Sequence, residues 1–344
     1  MTRFWKTLPL VALVAACGGN GSSGGGAETI KIVGSSTVYP FTTAVAEAFM
    51  KANPGARVIV ESTGTGAGMK LFCAGVGANF PDAVDASRPM KASEYADCAK
   101  AGAKQIIEVP IGIDGLTMIE SKDSPGMNLT VADIYKAIAA NPFGKPNTAK
   151  TWKDVNPALP ATKIRVLGPP PTSGTRDSLA DLILTKGCES DPAMKELKKS
   201  DEKKQKEICI KVREDGAYVE AGENDNLLVQ KVTGEPGTLG VLGFSYLEAN
   251  LDKVKPVSLA GVSPTETTIA DLSYPGSRKL FVYIKGEHMV AKPKLKDFIA
   301  AYSKLWSTGG VLQKRGLVPF GGTDASAATA QAAALKPLDP STLK

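Results

Sequence analysis

Thr29 to Val33 (TIKIV) is a short β-branched run of strand type, closed by Gly34-Ser35-Ser36-Thr37. After Pro40 the period changes. Phe41, Val45, Ala48 and Phe49 recur at helical spacing until Asn53-Pro54-Gly55 stops the pattern. Arg57 to Glu61 (RVIVE) predicts the next strand, followed by Ser62-Thr63-Gly64-Thr65-Gly66-Ala67-Gly68 and a helix through Phe72. Ala83 to Ser87 leads into a third loop, Ser87-Arg88-Pro89, and Ile106 to Pro110 and Leu116 to Ile119 predict two further strands. Lys163 to Leu167 (KIRVL) predicts another, which meets Gly168-Pro169-Pro170-Pro171 and then Thr172-Ser173-Gly174-Thr175-Arg176. Leu179, Leu182 and Ile183 mark a helix face behind it; later, Leu280 to Ile284 (LFVYI) is a strand and Phe298, Ile299, Tyr302 and Leu305 line a helix. Strands alternating with helices predict an α/β fold with mostly parallel sheets. The Ala-rich tail from Asp324 to Lys344, with Pro337 and Pro340, is expected to be loosely held.

Composition narrows the function. The 344 residues are 43% hydrophobic and 22% charged, enough to fill the cores of about two domains. A formal charge of only +6, spread along the chain, gives no basis for a nucleic-acid partner. Lys195 to Glu214 holds eight basic and five acidic residues, the mixed pattern of a solvated helix. His288 is the single histidine, so histidine-built zinc sites and Ser-His-Asp catalysis would all have to pass through it.

The N-terminus reads as an address. Arg3 and Lys6 precede an apolar stretch, Leu8 to Ala16, too short to span a bilayer. It ends in Val14-Ala15-Ala16-Cys17, which resembles the lipobox of bacterial lipoproteins. Residues 1–16 are thus expected to be a removed signal peptide, Cys17 the lipidated residue, and 17–27 a glycine-rich tether. Cys73, Cys98, Cys188 and Cys209 then remain, an even count in an exported chain. Of the three pairings open to four cysteines, the sequence neighbours are expected: Cys73 with Cys98 and Cys188 with Cys209. The absence of any CxxC pair weighs against a four-thiolate zinc site.

The loops at Ser36-Thr37, Thr65-Gly66, Ser87-Arg88 and Thr172 to Arg176 share one chemistry. Each follows a predicted strand and offers hydroxyls and unhindered backbone N–H donors, and helix starts behind them add partial positive charge. Such loops gather outside the carboxyl ends of strands, where open α/β sheets bind ligands. Arg88 and Arg176 add forked, permanently charged donors suited to an oxyanion. Taken singly, each loop is also explained by helix capping and turn formation.

Gly34-Ser-Ser-Thr-Val-Tyr-Pro-Phe41, Ser62-Thr-Gly-Thr-Gly-Ala-Gly68, Ala86-Ser-Arg-Pro89 and Thr172-Ser-Gly-Thr-Arg-Asp177 resemble the PstS-type phosphate-binding proteins, solute-binding components of high-affinity phosphate ABC transporters. The resemblance runs from about Glu28 to Gly322, and Pro110 to Thr117 and Tyr274 to Ile284 resemble the family's paired strands near the hinge. It implies a periplasmic binding protein fold of type II-like form, with two α/β lobes joined by a two-strand hinge and the ligand in the cleft. The expected division is 28–112 plus 276–322 for the first lobe, 113–275 for the second, and 323–344 for the tail. The implied ligand set is Ser36, Thr37, Thr65, Gly66, Ser87, Arg88, Ser173, Gly174, Thr175 and Arg176. The implied role is a non-enzymatic, monomeric lipoprotein without cofactor or metal that hands phosphate to membrane permease subunits. It would sit in the periplasm, or on the cell surface of a one-membrane organism, and close on its ligand.

Two departures bear on selectivity. Many members carry an aspartate in the third loop, which accepts the proton of hydrogen phosphate and rejects sulfate; this chain has Ser87-Arg88. Many also carry an arginine four residues before the SGT serine, where this chain has Pro169. Asp85, Asp114 and Asp215 are the aspartates that remain to fill the first role. Rival readings are a binding protein for sulfate, phosphonate or another oxyanion, and a phosphate sensor not coupled to transport. Gly21-Ser22-Ser23-Gly24-Gly25 formally fits a hydrolase GxSxG, but it lies in the tether with no strand before it, and no GxxxxGK[ST] phosphate loop is present.

Overall fold

The structure is a computed structural model that describes Met1 and residues 28–171, 173–222 and 224–343. The signal peptide, Cys17 and the tether lie outside the described residues, apart from Met1, and so does Thr172. The described residues form eleven strands: β1 (Glu28–Gly34), β2 (Ala56–Ser62), β3 (Ala83–Ala86), β4 (Ile106–Ser121), β5 (Asn128–Leu129), β6 (Val166–Gly168), β7 (Tyr218–Glu220), β8 (Leu239–Gly243), β9 (Val254–Pro256), β10 (Ser258–Leu259) and β11 (Ser277–Lys285). Nine form one curled sheet in the order β2-β1-β3-β11-β4-β8-β6-β7, with β9 also on β4, and β5 pairs separately with β10.

The expected mostly parallel sheet is corrected to a mixed one. β1 runs parallel to β2 and β3, and β6 parallel to β7 and β8. Between these wings, β3–β11, β11–β4 and β4–β8 are all antiparallel. The two strands expected at 106–110 and 116–119 are one strand, β4, 16 residues long. Its first part pairs with β11 and its last six residues pair with β8 and β9, so it runs through both wings. Gly112 makes this continuity possible: it adopts φ +153°, and a Cβ there would lie 2.6 Å from the Leu317 side chain.

Each wing has its own apolar filling. In the first, Ile30, Ile32, Val109 and Ile111 of the sheet pack with Phe41, Val45 and Phe49 of helix α1 (Tyr39–Ala52), and with Phe298 and Ile299. A smaller cluster joins Met69 and Phe72 of α2 (Thr65–Phe72) to Met90 and Tyr283. In the second wing, Met118, Ile119, Val166, Leu239 and Leu242 pack with Ile134 and Trp152. Side chains of this size, fully buried, contribute about 1.5–3 kcal/mol each.

Cys73 bonds to Cys98, joining the end of α2 to α3 (Ala92–Lys100), and Cys188 bonds to Cys209. The charged stretch 195–214 is two helices, Pro192–Ser200 and Glu202–Ile210, parted at Asp201, whose carboxylate caps the second by accepting from the Lys204 N–H. The tail is not loosely held. Gly322–Ala334 is a helix whose Ala325, Ala328, Ala332 and Leu335 face the apolar clusters, and Leu338 donates its N–H to the Ile106 carbonyl. The single histidine is structural. The Gly77 N–H donates to His288 Nε2, which leaves Nδ1–H to donate to the buried Asp82 carboxylate, whose other oxygen takes Lys292 and the Lys31 N–H.

Candidate anion-binding cleft

The first three loops are tied into one unit at the carboxyl ends of β1, β2 and β3. Gly34 (φ +133°) accepts the N–H groups of Thr63 and Gly64 on its carbonyl, and Ser35 donates its N–H to the Asp85 carbonyl. A Cβ on Gly34 would lie 2.2 Å from the Asp85 carbonyl oxygen, and one on Gly68 2.5 Å from the Gly34 Cα, so both glycines are needed for close approach. Thr65, at the start of α2, and Ser87 share a side-chain hydrogen bond of 3.0 Å, and the Ser87 N–H donates to the Thr65 hydroxyl. Gly66 follows Thr65 in the exposed first turn of α2.

The fourth loop comes from the other wing. Ser173 caps the helix Gly174–Ser178 by accepting the Thr175 N–H at 3.2 Å. This loop meets the first directly. The Ser36 hydroxyl donates to the Asp177 carboxylate, and the Thr37 hydroxyl donates to the Gly174 carbonyl at 3.1 Å. A Cβ on Gly174 would sit 2.6 Å from the Ser36 carbonyl oxygen. The fourth loop therefore meets the first where the wings face each other, and the second and third loops are tied to the first.

The two arginines singled out in the sequence both have partners within their own wing. Arg88 forks onto Glu94, with Nη1–Oε2 2.9 Å and Nη2–Oε1 2.7 Å. Burial alone would raise the Glu94 carboxyl, but the Arg88 fork and the Lys91 N–H outweigh it and hold the carboxyl below its usual range. Burial disfavours the Arg88 charge, but Glu94 and Asp181 more than offset this and hold the guanidinium protonated. Arg176 is turned away, donating to the Pro169 carbonyl and the Tyr218 hydroxyl at 3.1 Å each, with its guanidinium 4.9 Å from the Tyr218 ring centroid. It braces the rigid Pro169–Pro171 turn. Among the described residues no group of three or more His, Cys, Asp or Glu is placed to hold a metal ion, and no helix is long and apolar enough to cross a membrane.

Residues 20–302 match the family model of the PBP superfamily domain. The chain is 33% identical over 305 residues to protein SphX of Synechococcus elongatus, covering 86% of this chain and 79% of that protein. It is 32% identical over 294 residues to the phosphate-binding protein PstS of Staphylococcus saprophyticus, covering 83% and 80% respectively. The chain belongs to the PstS family of the PBP superfamily. The crystal structure of a possible phosphate binding protein from Planctomyces limnophilus superposes with a TM-score of 0.71 at 28% identity, covering 89% of this chain and 98% of that one.

Within this PBP-superfamily fold two buried groups stand out: Asp85, one of the three aspartates named from the sequence for proton reading, and Arg278, which no sequence motif singles out. Asp85 is fully enclosed beneath the first loop, its Oδ1 has no hydrogen-bond partner, and burial pushes its carboxyl up to about 8 against the opposing Thr42 hydroxyl. Arg278 of β11 lies between the wings; its Nη2 donates to Thr37 at 2.9 Å and to Ser178 at 2.7 Å, and its Nε to Asp114 at 3.1 Å. Of the aspartates weighed for proton reading, Asp215 is held by Arg213 in the second wing and Asp114 is held by Arg278. In the sequence Arg278 stands with Lys279 between Ser277 and the apolar run of β11, and only the strand register sets it opposite Asp114.

Proposed function

We propose that this chain is the extracytoplasmic phosphate-binding component of a phosphate ABC transporter, working as a monomer anchored through a lipid on Cys17. Residues 28–112 with 276–322 make one lobe and 113–275 the other, and β4 and β11 carry the hinge. Inorganic phosphate is held by Ser36, Thr37, Thr65, Gly66 and Ser87 from one side and by Ser173, Gly174 and Thr175 from the other. Arg88 supplies charge from the rim, and Arg176 acts by holding the fourth loop. What supports this reading is that the fourth loop meets the first across the Gly174–Ser36 approach while the second and third loops are tied to the first, which gathers the hydroxyl- and N–H-bearing loops an oxyanion needs. The name of one relative, the phosphate-binding protein PstS, favours phosphate among oxyanions. Calorimetric titration with phosphate, arsenate, sulfate and a phosphonate tests it. Phosphate should bind at one site per chain and more tightly than the others; tighter binding of sulfate or phosphonate would overturn the choice of ligand.

A further inference from the structure

One guanidinium bonds to both wings and to the strand beside it. Arg278 sits on β11, in register with Asp114 on β4, so it rises from the two strands that connect the wings. Its Nε donates to Asp114 and its Nη1 to Asp181 at 2.9 Å, while Nη2 donates to Ser178 and to Thr37. Ser178 and Asp181 belong to the helical segment behind the fourth loop, and Thr37 belongs to the first loop. Ser178 in turn donates to Asp114 at 2.7 Å, which leaves the carboxylate with both an ionic and a hydroxyl partner. The Arg278 side chain is only 9% exposed, so these bonds are made largely out of water.

We infer that Arg278 is a positioning residue that latches the cleft from its floor, favouring the close approach of the two wings and orienting the Thr37 hydroxyl; the inference rests on the reading of this cleft as the ligand site. Hydrogen-bond geometry makes the latch specific to the closed arrangement. Nη2 spans the two wings with bonds of 2.9 and 2.7 Å, and moving the wings apart by one to two ångströms would break one of them. Because Thr37 accepts from Arg278, its proton is directed away from the guanidinium, towards the Gly174 carbonyl or a ligand placed beside it. The exposed Lys91–Glu202 pair also crosses between the wings, but a solvated pair of this kind adds little. A latch of this type raises the fraction of protein already competent to bind, and apparent affinity scales with that fraction.

The test measures closure and affinity separately, by small-angle scattering with and without phosphate and by calorimetry, on three proteins. These are wild type, the charge-balanced Arg278→Met/Asp114→Asn double variant, and Asp181→Asn, which removes a surface-exposed partner and leaves the buried pair intact. Without phosphate the wild type should be more compact than the double variant, and it should shrink further on binding. The double variant should start with a larger radius of gyration, reach the wild-type radius at saturation, and bind about tenfold or more weakly. Asp181→Asn should move in the same direction by a smaller factor, about threefold. Equal unliganded radii for wild type and both variants would overturn the latch. A wild type that fails to bind phosphate would instead overturn the ligand assignment, while the unliganded radii still judge the latch.

Discussion

The two sides of the cleft are built on different terms. On the first side, three loops are fastened to one another by backbone contacts through Gly34 and Asp85 and by the Thr65–Ser87 pair, and Cys73–Cys98 closes the segment that carries Ser87-Arg88. On the second side a single loop, stiffened by three prolines and by Arg176 on the Pro169 carbonyl, presents one short helix start. The first side is held together by its own contacts, whereas the second is a single loop whose value depends on how closely it approaches. The same residue type, glycine, therefore does different work in each: Gly34 and Gly68 allow the loops of one side to pack together, and Gly174 allows the two sides to meet.

Substitution of these glycines is the strongest way to break that contrast. Gly34→Ala places a Cβ against the Asp85 backbone at a positive φ, and should cost about 3 kcal/mol or more in stability, read by denaturant unfolding. Gly174→Ala meets the Ser36 carbonyl across the cleft, where opening relieves the clash. Its melting temperature should stay close to wild type while phosphate affinity falls by roughly 1–3 kcal/mol, about 5- to 150-fold. A stability loss at Gly174 as large as at Gly34 would show that the second side is not a separate, approaching element.

A smaller effect concerns the buried carboxyl beneath the first side. The folded-state Asp85 titrates at about 8, above the usual aspartate value near 4, so the folded protein keeps a proton that the unfolded chain releases. Its contribution therefore favours folding at low pH and is lost as pH rises from about 4 to about 8. Asp85→Asn should flatten that slope, raising the melting temperature relative to wild type more at pH 8 than at pH 5. An equal change at both pH values would mean that Asp85 is ionised in the folded protein.

Much of this was legible in the chain. The four loops were visible because each joins a strand run to Gly, Ser or Thr, and the sheet wings because TIKIV, RVIVE and KIRVL carry strand composition. The unbroken β4 was hidden by Pro110 and by Gly112 and Gly115, which read locally as interruptions; only tertiary contacts with β11, Val318 and Pro337 show that the chain continues extended. The tail looks like low complexity in sequence because the helix face it buries is made of alanines, Ala325, Ala328 and Ala332, although their spacing is helical. Arg278 was missed because its partners Thr37, Asp114, Ser178 and Asp181 lie far from it in sequence, and no local pattern records a bond that forms only when two wings meet.

The central claim is that one phosphate-like anion is held between both sides by the four loops. Anomalous diffraction from crystals grown with arsenate tests it directly. The account predicts one arsenic position within hydrogen-bonding reach of both the Ser36-Thr37 loop and the Ser173–Thr175 loop; an arsenic position in contact with only one side, or outside the cleft, would contradict it.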